Sequence, residues 1–165
     1  MPDKIYGSVY EIDFDGLTRK NITGLIFDID NTLVSYRQPE PTARVIGLMR
    51  DLQGKGFKIC FVSNNNKARV DIFNRGFRFP AFAGAGKPLK RCMKRALDAM
   101  GVPRGQAAII GDQIFTDVWA GRRMGMLALY VEPIEPVQTL LFKAKRALEK
   151  PVKSRYWGMA EKEDI

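Results

Sequence analysis

The sequence contains no histidine among its 165 residues. Histidine supplies the usual general base near neutral pH and is the commonest nitrogen ligand of protein-bound metals. Its absence excludes a Ser-His-Asp relay, a phosphohistidine intermediate and a zinc site with imidazole ligands. Carboxylates and a metal ion must therefore carry the chemistry of an active site in this chain.

Cysteine is scarce, and long apolar runs are absent. Cys60 lies in an apolar run and Cys92 in an amphipathic helical pattern, so we expect both to be small core residues rather than nucleophiles. Two isolated cysteines argue against a secreted disulfide scaffold. No signal peptide and no segment long enough to span a bilayer is recognisable. These absences predict a cytoplasmic protein, either free or peripheral at a membrane.

The chain alternates between two kinds of apolar pattern. Runs rich in β-branched and aromatic residues predict five strands, at about 24–28, 58–62, 80–83, 107–110 and 126–131. Helical periodicity predicts four helices, at about 41–54, 66–74, 88–100 and 117–124. This alternation predicts an α/β fold, a Rossmann-like three-layer sandwich with a mostly parallel sheet. The opening segment, with Tyr6, Val9, Ile12 and Leu17, is ambiguous and is compatible with a cover over the sheet.

The first predicted strand ends in two carboxylates, Asp28 and Asp30. Ligands of open α/β sheets bind at the carboxyl ends of the strands. Two neighbouring carboxylates repel each other unless a cation or a shared proton compensates, and a hard divalent metal is the simplest solution. Asp28 can then be both ligand and nucleophile, while Asp30 can give and take a proton. Taken alone, the pair also fits a solvated turn or a calcium loop.

Three later segments place more polar groups at strand ends. Ser63 ends the second predicted strand, and Lys87 follows a run of small residues just before Pro88, which can begin a helix. Lys87 is thus a natural phosphate clamp, and Asp112 and Asp117 can complete a metal site. The alternative is that these residues are structural. Under that alternative Lys87 is a solvated charge, and helix or turn caps are formed by Thr32, Ser63 and Asp117.

These residues, in this order and spacing, resemble the four motifs of the haloacid dehalogenase superfamily of phosphotransferases. The motifs are Asp28-Ile29-Asp30-Asn31-Thr32, then Ser63, then Lys87-Pro88, then Gly111-Asp112 with Asp117. More narrowly, the segments around them are similar to the YqeG family of capless phosphatases, whose mitochondrial relatives are phosphatidylglycerophosphate phosphatases. The similarity covers roughly residues 5–135, and it departs from the family mainly in the basic tail and in Ala85-Gly86.

The resemblance implies a Mg²⁺-dependent phosphomonoesterase, with phosphatidylglycerophosphate as the favoured substrate. It implies that Asp28 attacks phosphorus to give an aspartyl phosphate, and that Asp30 protonates the leaving oxygen and then activates water. The implied ligands of Mg²⁺ are Asp28, the carbonyl oxygen of Asp30, and Asp112, with Asp117 binding through water. The implied phosphate-binding residues are Thr32, Ser63, Asn64 and Lys87.

The motif spacing leaves no room for a cap domain. Residues 29–62 and 64–86 are largely consumed by the predicted helices and strands. In the superfamily that the chain resembles, a cap closes over small metabolites. We therefore expect a single capless phosphatase domain over residues 1–135, with an open site for a large or membrane-presented phosphomonoester.

The chain carries 27 Lys and Arg against 18 Asp and Glu, a net charge of +9. Such a charge draws a protein to anionic surfaces, whether nucleic acid or acidic lipid. Residues 136–165 form a basic tail in which apolar residues keep helical spacing. Such a helix can lie at a lipid interface or pack its apolar stripe on the sheet. Its cations are Lys143, Lys145, Arg146, Lys150, Lys153 and Arg155.

Two other functions remain open at this point. The first is a phosphatase of nucleic-acid ends or of phosphoproteins, which the positive charge suits. The second is a non-catalytic module that binds RNA, ribosome or another protein. The intact pair Asp28 and Asp30 counts against the second, because a binding module has no need to hold two repelling carboxylates together.

Overall fold

A computed structural model of the protein describes residues 1–135. The predicted basic tail at residues 136–165 lies outside the described residues. Within residues 1–135, no helix is long and apolar enough to cross a membrane. The described residues form one all-parallel sheet with helices packed on it.

The sheet has six strands in the order β1-β6-β5-β2-β3-β4. The strands are β1 (Lys4–Tyr6), β2 (Gly24–Phe27), β3 (Lys58–Val62), β4 (Ala81–Phe82), β5 (Ala107–Gly111) and β6 (Leu127–Val131). The helices are α1 (Phe14–Arg19), α2 (Ala43–Gly54), α3 (Lys67–Asn74), α4 (Lys90–Met100) and α5 (Trp119–Met124). Short 3₁₀ turns lie at Val9–Glu11 and Arg104–Gln106, and a π-helical turn lies at Ile114–Val118. The predicted Rossmann-like α/β fold is confirmed.

The central strands are apolar because both faces of the sheet are covered. In β2, Leu25, Ile26 and Phe27 are each fully buried. Residues of β3 and β5 pair with β2 on either side, Phe27 lying opposite Phe61 and Ile110. This register brings the ends of three strands to the same edge of the sheet.

The opening segment contains a strand that the sequence did not predict. β1 pairs in parallel with β6, with Lys4 opposite Leu129. It is only three residues long and lies at the sheet edge, so it lacks the apolar run that marks the central strands. The residues after it pack into the core, where Val9, Ile12 and Leu17 are buried.

Pro88 does not begin a helix, contrary to the sequence prediction. The Leu89 N–H donates to the Gly86 carbonyl at 2.9 Å, so residues 86–89 form a turn. Gly86 takes a positive φ of 61° in that turn, and Leu89 has an extended backbone. Helix α4 therefore begins at Lys90.

Helix α5 lies directly against β5 because Gly121 has no side chain. A Cβ at Gly121 would lie 2.3 Å from Cγ2 of Ile109, a fully packed core residue. By contrast, a Cβ at Gly47 in α2 would meet no atom within 4 Å.

We expect Gly121→Ala to lower the free energy of unfolding by about 1 to 3 kcal/mol, since the methyl group would overpack the core. The matched variant Gly47→Ala should leave stability unchanged or raise it by up to about 1 kcal/mol, because alanine is the better helix former. Urea unfolding of both variants measures the difference. Equal stabilities would contradict this account of the α5–β5 contact.

Candidate active site

Asp28 and Asp112 come together because they follow neighbouring parallel strands. Asp28 comes directly after β2, and its N–H donates to the Ile110 carbonyl of β5 at 2.9 Å. Asp112 comes directly after β5, so its carboxylate emerges at the same edge. Ser63 follows β3, which lies on the other side of β2 from β5, so Asp112, Asp28 and Ser63 follow three neighbouring strands.

The loop after β2 turns back sharply at Asn31. Asn31 takes a positive φ of 62°, which asparagine tolerates better than most residues. Its N–H donates to the Val34 carbonyl at 2.7 Å, and the Ile29 carbonyl accepts from Leu33 at 3.0 Å. This turn places Thr32 beneath the strand end, with its hydroxyl 3.5 Å from carboxylate oxygens of both Asp28 and Asp112.

Three buried carboxylates meet at this edge. Asp28, Asp112 and Asp117 each offer an oxygen within 4.8 Å of the others. Asp117 comes from the π-helical turn after β5, and its Oδ2 accepts from the Gln113 N–H at 3.2 Å. A Cβ at Gly111 would lie 2.4 Å from Cγ of Asp117, so only glycine leaves room for this carboxylate.

Lys87 reaches into the cluster from the loop after β4. Its Nζ lies 2.6 Å from an oxygen of Asp28 and 2.6 Å from an oxygen of Asp117, and its side chain is 3% exposed. Burial alone would lower the pKa of Lys87, but the charges and hydrogen bonds of the two carboxylates outweigh it and raise that pKa. Lys87 is therefore an ammonium in the folded protein.

The cluster has more negative charge than Lys87 neutralises. Burial raises the pKa of Asp28 well above its usual value, and the charges of Asp117 and Asp112 raise it further, while Lys87 opposes them. The three carboxylates are buried and offer only oxygen ligands, and the one ammonium among them pairs with two, Asp28 and Asp117. These properties fit a hard divalent cation such as Mg²⁺.

Asp30 lies outside this cluster and has different partners. Its Oδ2 accepts from the Ser63 hydroxyl at 3.4 Å and from the Asn65 amide at 3.3 Å. Its Oδ1 accepts from Arg69 Nε at 3.1 Å and lies 2.9 Å from a terminal guanidinium nitrogen. The Asp30 side chain is 15% exposed, whereas that of Asp28 is 6% exposed. The two acids thus occupy different electrostatic environments.

Arg69 is a site residue that the sequence analysis missed. Besides Asp30, its guanidinium donates to the Gln38 carbonyl at 2.7 Å and the Pro39 carbonyl at 2.5 Å. It therefore ties the loop before α2 to the carboxylate of Asp30. The one signal in the sequence was a cation in the first turn of a helix, where the helix dipole disfavours it.

Asn64, predicted to bind phosphate, contacts the Lys87 backbone instead of lying free. Its Oδ1 accepts from the Lys87 N–H at 2.8 Å, and its Nδ2 donates to the Lys87 carbonyl at 3.5 Å. The Ala85 N–H also donates to the Ser63 carbonyl at 3.0 Å. The loop after β3 thus holds the loop that carries Lys87.

The structure places every predicted site residue on the segments that follow the carboxyl ends of β2, β3, β4 and β5, with Asp117 in the π-helical turn after β5. Asp28, Lys87, Asp112 and Asp117 form one buried cluster, with Thr32 against it. Asp30 and Ser63 form a second group beside it. The roles assigned to these residues in catalysis, phosphate binding and metal binding stay predictions.

Comparison with known proteins agrees with this architecture. A family model described as HAD-hydrolase-like matches residues 84–133. The probable phosphatase YqeG of Bacillus subtilis (strain 168) is 32% identical over 154 residues, which cover 93% of this chain and 90% of that protein. The glyceraldehyde 3-phosphate phosphatase of Pyrococcus abyssi (strain GE5 / Orsay) is 26% identical over 144 residues, covering 77% of this chain and 60% of that protein.

A solved structure supports the fold as well. A HAD-superfamily hydrolase from Ehrlichia chaffeensis matches with a TM-score of 0.57 at 17% identity, covering 67% of this chain and 88% of that one. The similarity to YqeG extends over nearly the full length of both proteins. This chain therefore belongs to the haloacid dehalogenase superfamily of phosphatases, and within it to the YqeG family.

Proposed function

We propose that this phosphatase is a Mg²⁺-dependent phosphomonoesterase that works through an aspartyl phosphate on Asp28. One observation carries the proposal. A buried carboxylate is held beside an ammonium and two more acids, while a second carboxylate two residues later has separate partners. Nucleophile and general acid–base need such different environments.

In the first step an Asp28 oxygen attacks phosphorus and forms a P–O bond. The bond from phosphorus to the substrate oxygen breaks, and that oxygen takes a proton from Asp30. In the second step Asp30, now a carboxylate, accepts a proton from water as the water oxygen attacks phosphorus. The bond from phosphorus to Asp28 then breaks, inorganic phosphate leaves, and both acids return to their starting states.

Charge is neutralised on both sides of the reacting phosphorus. The Lys87 ammonium is placed to donate to phosphate oxygens, since it already lies against the attacking carboxylate. Asp28, Asp112 and Asp117 are the residues that would hold Mg²⁺, which when bound would neutralise carboxylate and phosphate charge. Thr32 and Ser63 supply hydroxyl groups at the edge of the same site.

The favoured substrate is phosphatidylglycerophosphate, and the same open site would serve other large phosphomonoesters. Within the described residues, the segments 28–42 and 63–66 that follow β2 and β3 contain no inserted domain. An open site of this kind suits a phosphate that stays attached to a surface. The net charge of +9 keeps nucleic-acid ends as a second candidate. A panel of lipid phosphomonoester, 5′-phosphorylated oligonucleotide, phosphopeptide and sugar phosphate separates these substrates.

We expect Asp28→Asn to lower kcat on the order of a thousandfold or more, because the amide keeps the shape but not the nucleophilicity. Hydroxylamine trapping should detect an acyl phosphate in the wild type and none in the variant. Thermal melts control for folding, and the variant should melt no lower than the wild type, since it removes charge from an overcharged cluster. Activity within about tenfold of the wild type would refute the mechanism.

Metal removal should change stability in a pH-dependent way. Because the pKa of Asp28 is raised in the folded state, its ionisation opposes folding, so the free energy of unfolding in chelator should fall as pH rises above about 4. Added Mg²⁺ should raise Tm, and by more at higher pH, because the ion replaces a proton.

The metal prediction has a matched control. Asp112→Asn should reduce the Mg²⁺-induced rise in Tm, whereas Asp71→Asn, which removes an exposed carboxylate paired with Lys67, should leave it unchanged. Differential scanning calorimetry from acid to neutral pH measures both effects. A Mg²⁺ effect on Tm that is the same in the two variants would place the ion elsewhere.

Arg69 should act on the reaction by positioning Asp30. We expect Arg69→Ala to lower kcat/KM for an alkyl phosphate by about ten- to a hundredfold, but for p-nitrophenyl phosphate by less than about threefold. Nitrophenolate leaves without a proton, and kcat/KM reports only the step that forms the aspartyl phosphate. Arg75→Ala, at the exposed end of α3, is the matched control. Equal losses on both substrates would show that Arg69 is only structural.

A further inference from the structure

Exposed apolar side chains concentrate at the edge of the sheet that carries the site. Within residues 1–135, the large apolar side chains that are exposed are those of Met1, Tyr36, Leu89, Trp119 and Ile134. All but Met1 lie on segments that follow the carboxyl ends of strands, after β2, β4, β5 and β6 respectively. Single exposed apolar residues are ordinary, but their concentration around one site entrance indicates an interaction surface.

Leu89 and Trp119 are joined into one surface by Arg123. The Arg123 guanidinium lies over the Trp119 indole at 5.5 Å. It also donates to the carbonyl of Pro88, the residue before Leu89, at 3.4 Å. Leu89 is 61% exposed and Trp119 is 51% exposed. We call this surface the rim; with the neighbouring exposed cations, it consists of Leu89, Lys90, Arg91, Trp119 and Arg123.

The rim is adjacent to the site because its residues follow site residues closely in the sequence. Leu89 lies two residues after Lys87, whose ammonium enters the carboxylate cluster. Trp119 lies two residues after Asp117, which pairs with the same ammonium. A surface that covers the rim therefore presents its own groups to the entrance of the site.

The rim is also strongly basic. Besides the buried Lys87, residues 84–97 contain four cations and no acid, and besides Arg122, which pairs with Asp3, residues 118–131 contain Arg123 and no acid. Helices α4 and α5, which carry these residues, pack against each other. Three acids border these segments along the chain: Asp98 pairs with Lys94, Asp117 is buried and pairs with Lys87, and Glu132 follows the second segment. The rim thus combines positive charge with exposed apolar side chains.

We propose that the rim docks the enzyme on an anionic phospholipid bilayer, so that a lipid-borne phosphomonoester reaches Asp28 without leaving the surface. This inference rests on the proposed phosphatase function. Lysine and arginine are drawn to anionic headgroups, and tryptophan is favoured at the boundary between headgroups and acyl chains. An exposed leucine gains nothing from a nucleic-acid backbone, whereas a bilayer accepts it.

Sedimentation of the full-length protein with vesicles tests the docking directly. The wild type should sediment with vesicles that contain phosphatidylglycerol and not with pure phosphatidylcholine. The double variants Leu89→Ser/Trp119→Ser and Lys90→Gln/Arg91→Gln should each lower the partition coefficient by about tenfold or more. The matched control Lys20→Gln/Arg104→Gln removes two exposed cations just before β2 and β5, at the opposite edge, and should change it by less than about twofold.

A spectroscopic readout locates the contact. In a Trp157→Phe background Trp119 is the single tryptophan, so its emission should shift to shorter wavelength on anionic vesicles. Thermal melts of all variants check that each is folded. Rim variants that are folded and bind vesicles as the wild type does would overturn the proposal. Binding of the wild type to oligonucleotides but not to vesicles would overturn it as well and assign the rim to nucleic acid.

Hydrolysis separates this inference from the proposed function. With p-nitrophenyl phosphate in solution, the rim variants should match the wild type, because the rim contacts no reacting atom. With a lipid phosphomonoester in anionic vesicles, they should lose activity in parallel with binding. Equal activity of rim variants and wild type on vesicles would refute the docking while leaving the phosphatase intact. The sedimentation result does not depend on hydrolysis, so it decides the docking even if the proposed function fails.

Discussion

The ion pairs of Lys87 with Asp28 and Asp117 are the interaction on which the site depends. They join the loops after β2 and β4 to the π-helical turn after β5 through one buried ammonium. Removing the ammonium would leave buried carboxylates without a cation in the interior, which is far more costly than a lost surface pair. One ammonium lies among three buried acids, and burial, together with the charges of Asp117 and Asp112, raises the pKa of Asp28. The buried carboxylates therefore fit a further cation, such as the Mg²⁺ of the proposed mechanism.

Several local features serve to bring these charges together. Asn31, Gly84 and Gly86 take positive φ angles, which let the loops after β2 and β4 turn back toward the strand ends. Gly111 leaves the space that the Asp117 carboxylate occupies. The π-helical turn at Ile114–Val118 directs Asp117 inward rather than to the start of a solvent-exposed helix. The positive φ of Asn31 and the π-helical turn, which are unfavourable in isolation, persist here because the surrounding contacts determine them.

The sequence predicts the features that depend on local pattern and misses those that depend on distant contacts. The central strands are easy to predict because strands such as β2 are apolar on both faces. The acids directly after them are predicted as site residues because the carboxyl ends of parallel strands share one edge of the sheet. β1 is not predicted because a three-residue edge strand is too short to show an apolar run. Arg69 escapes because its partners, Asp30, Gln38 and Pro39, lie about thirty residues or more away in the sequence. For the same reason, the contact of Asn64 with the Lys87 backbone could not be read from spacing.

Two acids separated by one residue acquire different chemistry through their surroundings. Asp28 emerges while still covered by the sheet, so it meets Lys87 and the other buried carboxylates. Asp30 emerges at the turn that Asn31 makes, beyond that cover, where Ser63, Asn65 and Arg69 orient it and solvent still reaches it. A buried carboxylate held against an ammonium suits attack on phosphorus, whereas proton exchange with water requires access to water. In the proposed mechanism, Asp28 and Asp30 can therefore take different roles because burial changes within two residues at the end of β2.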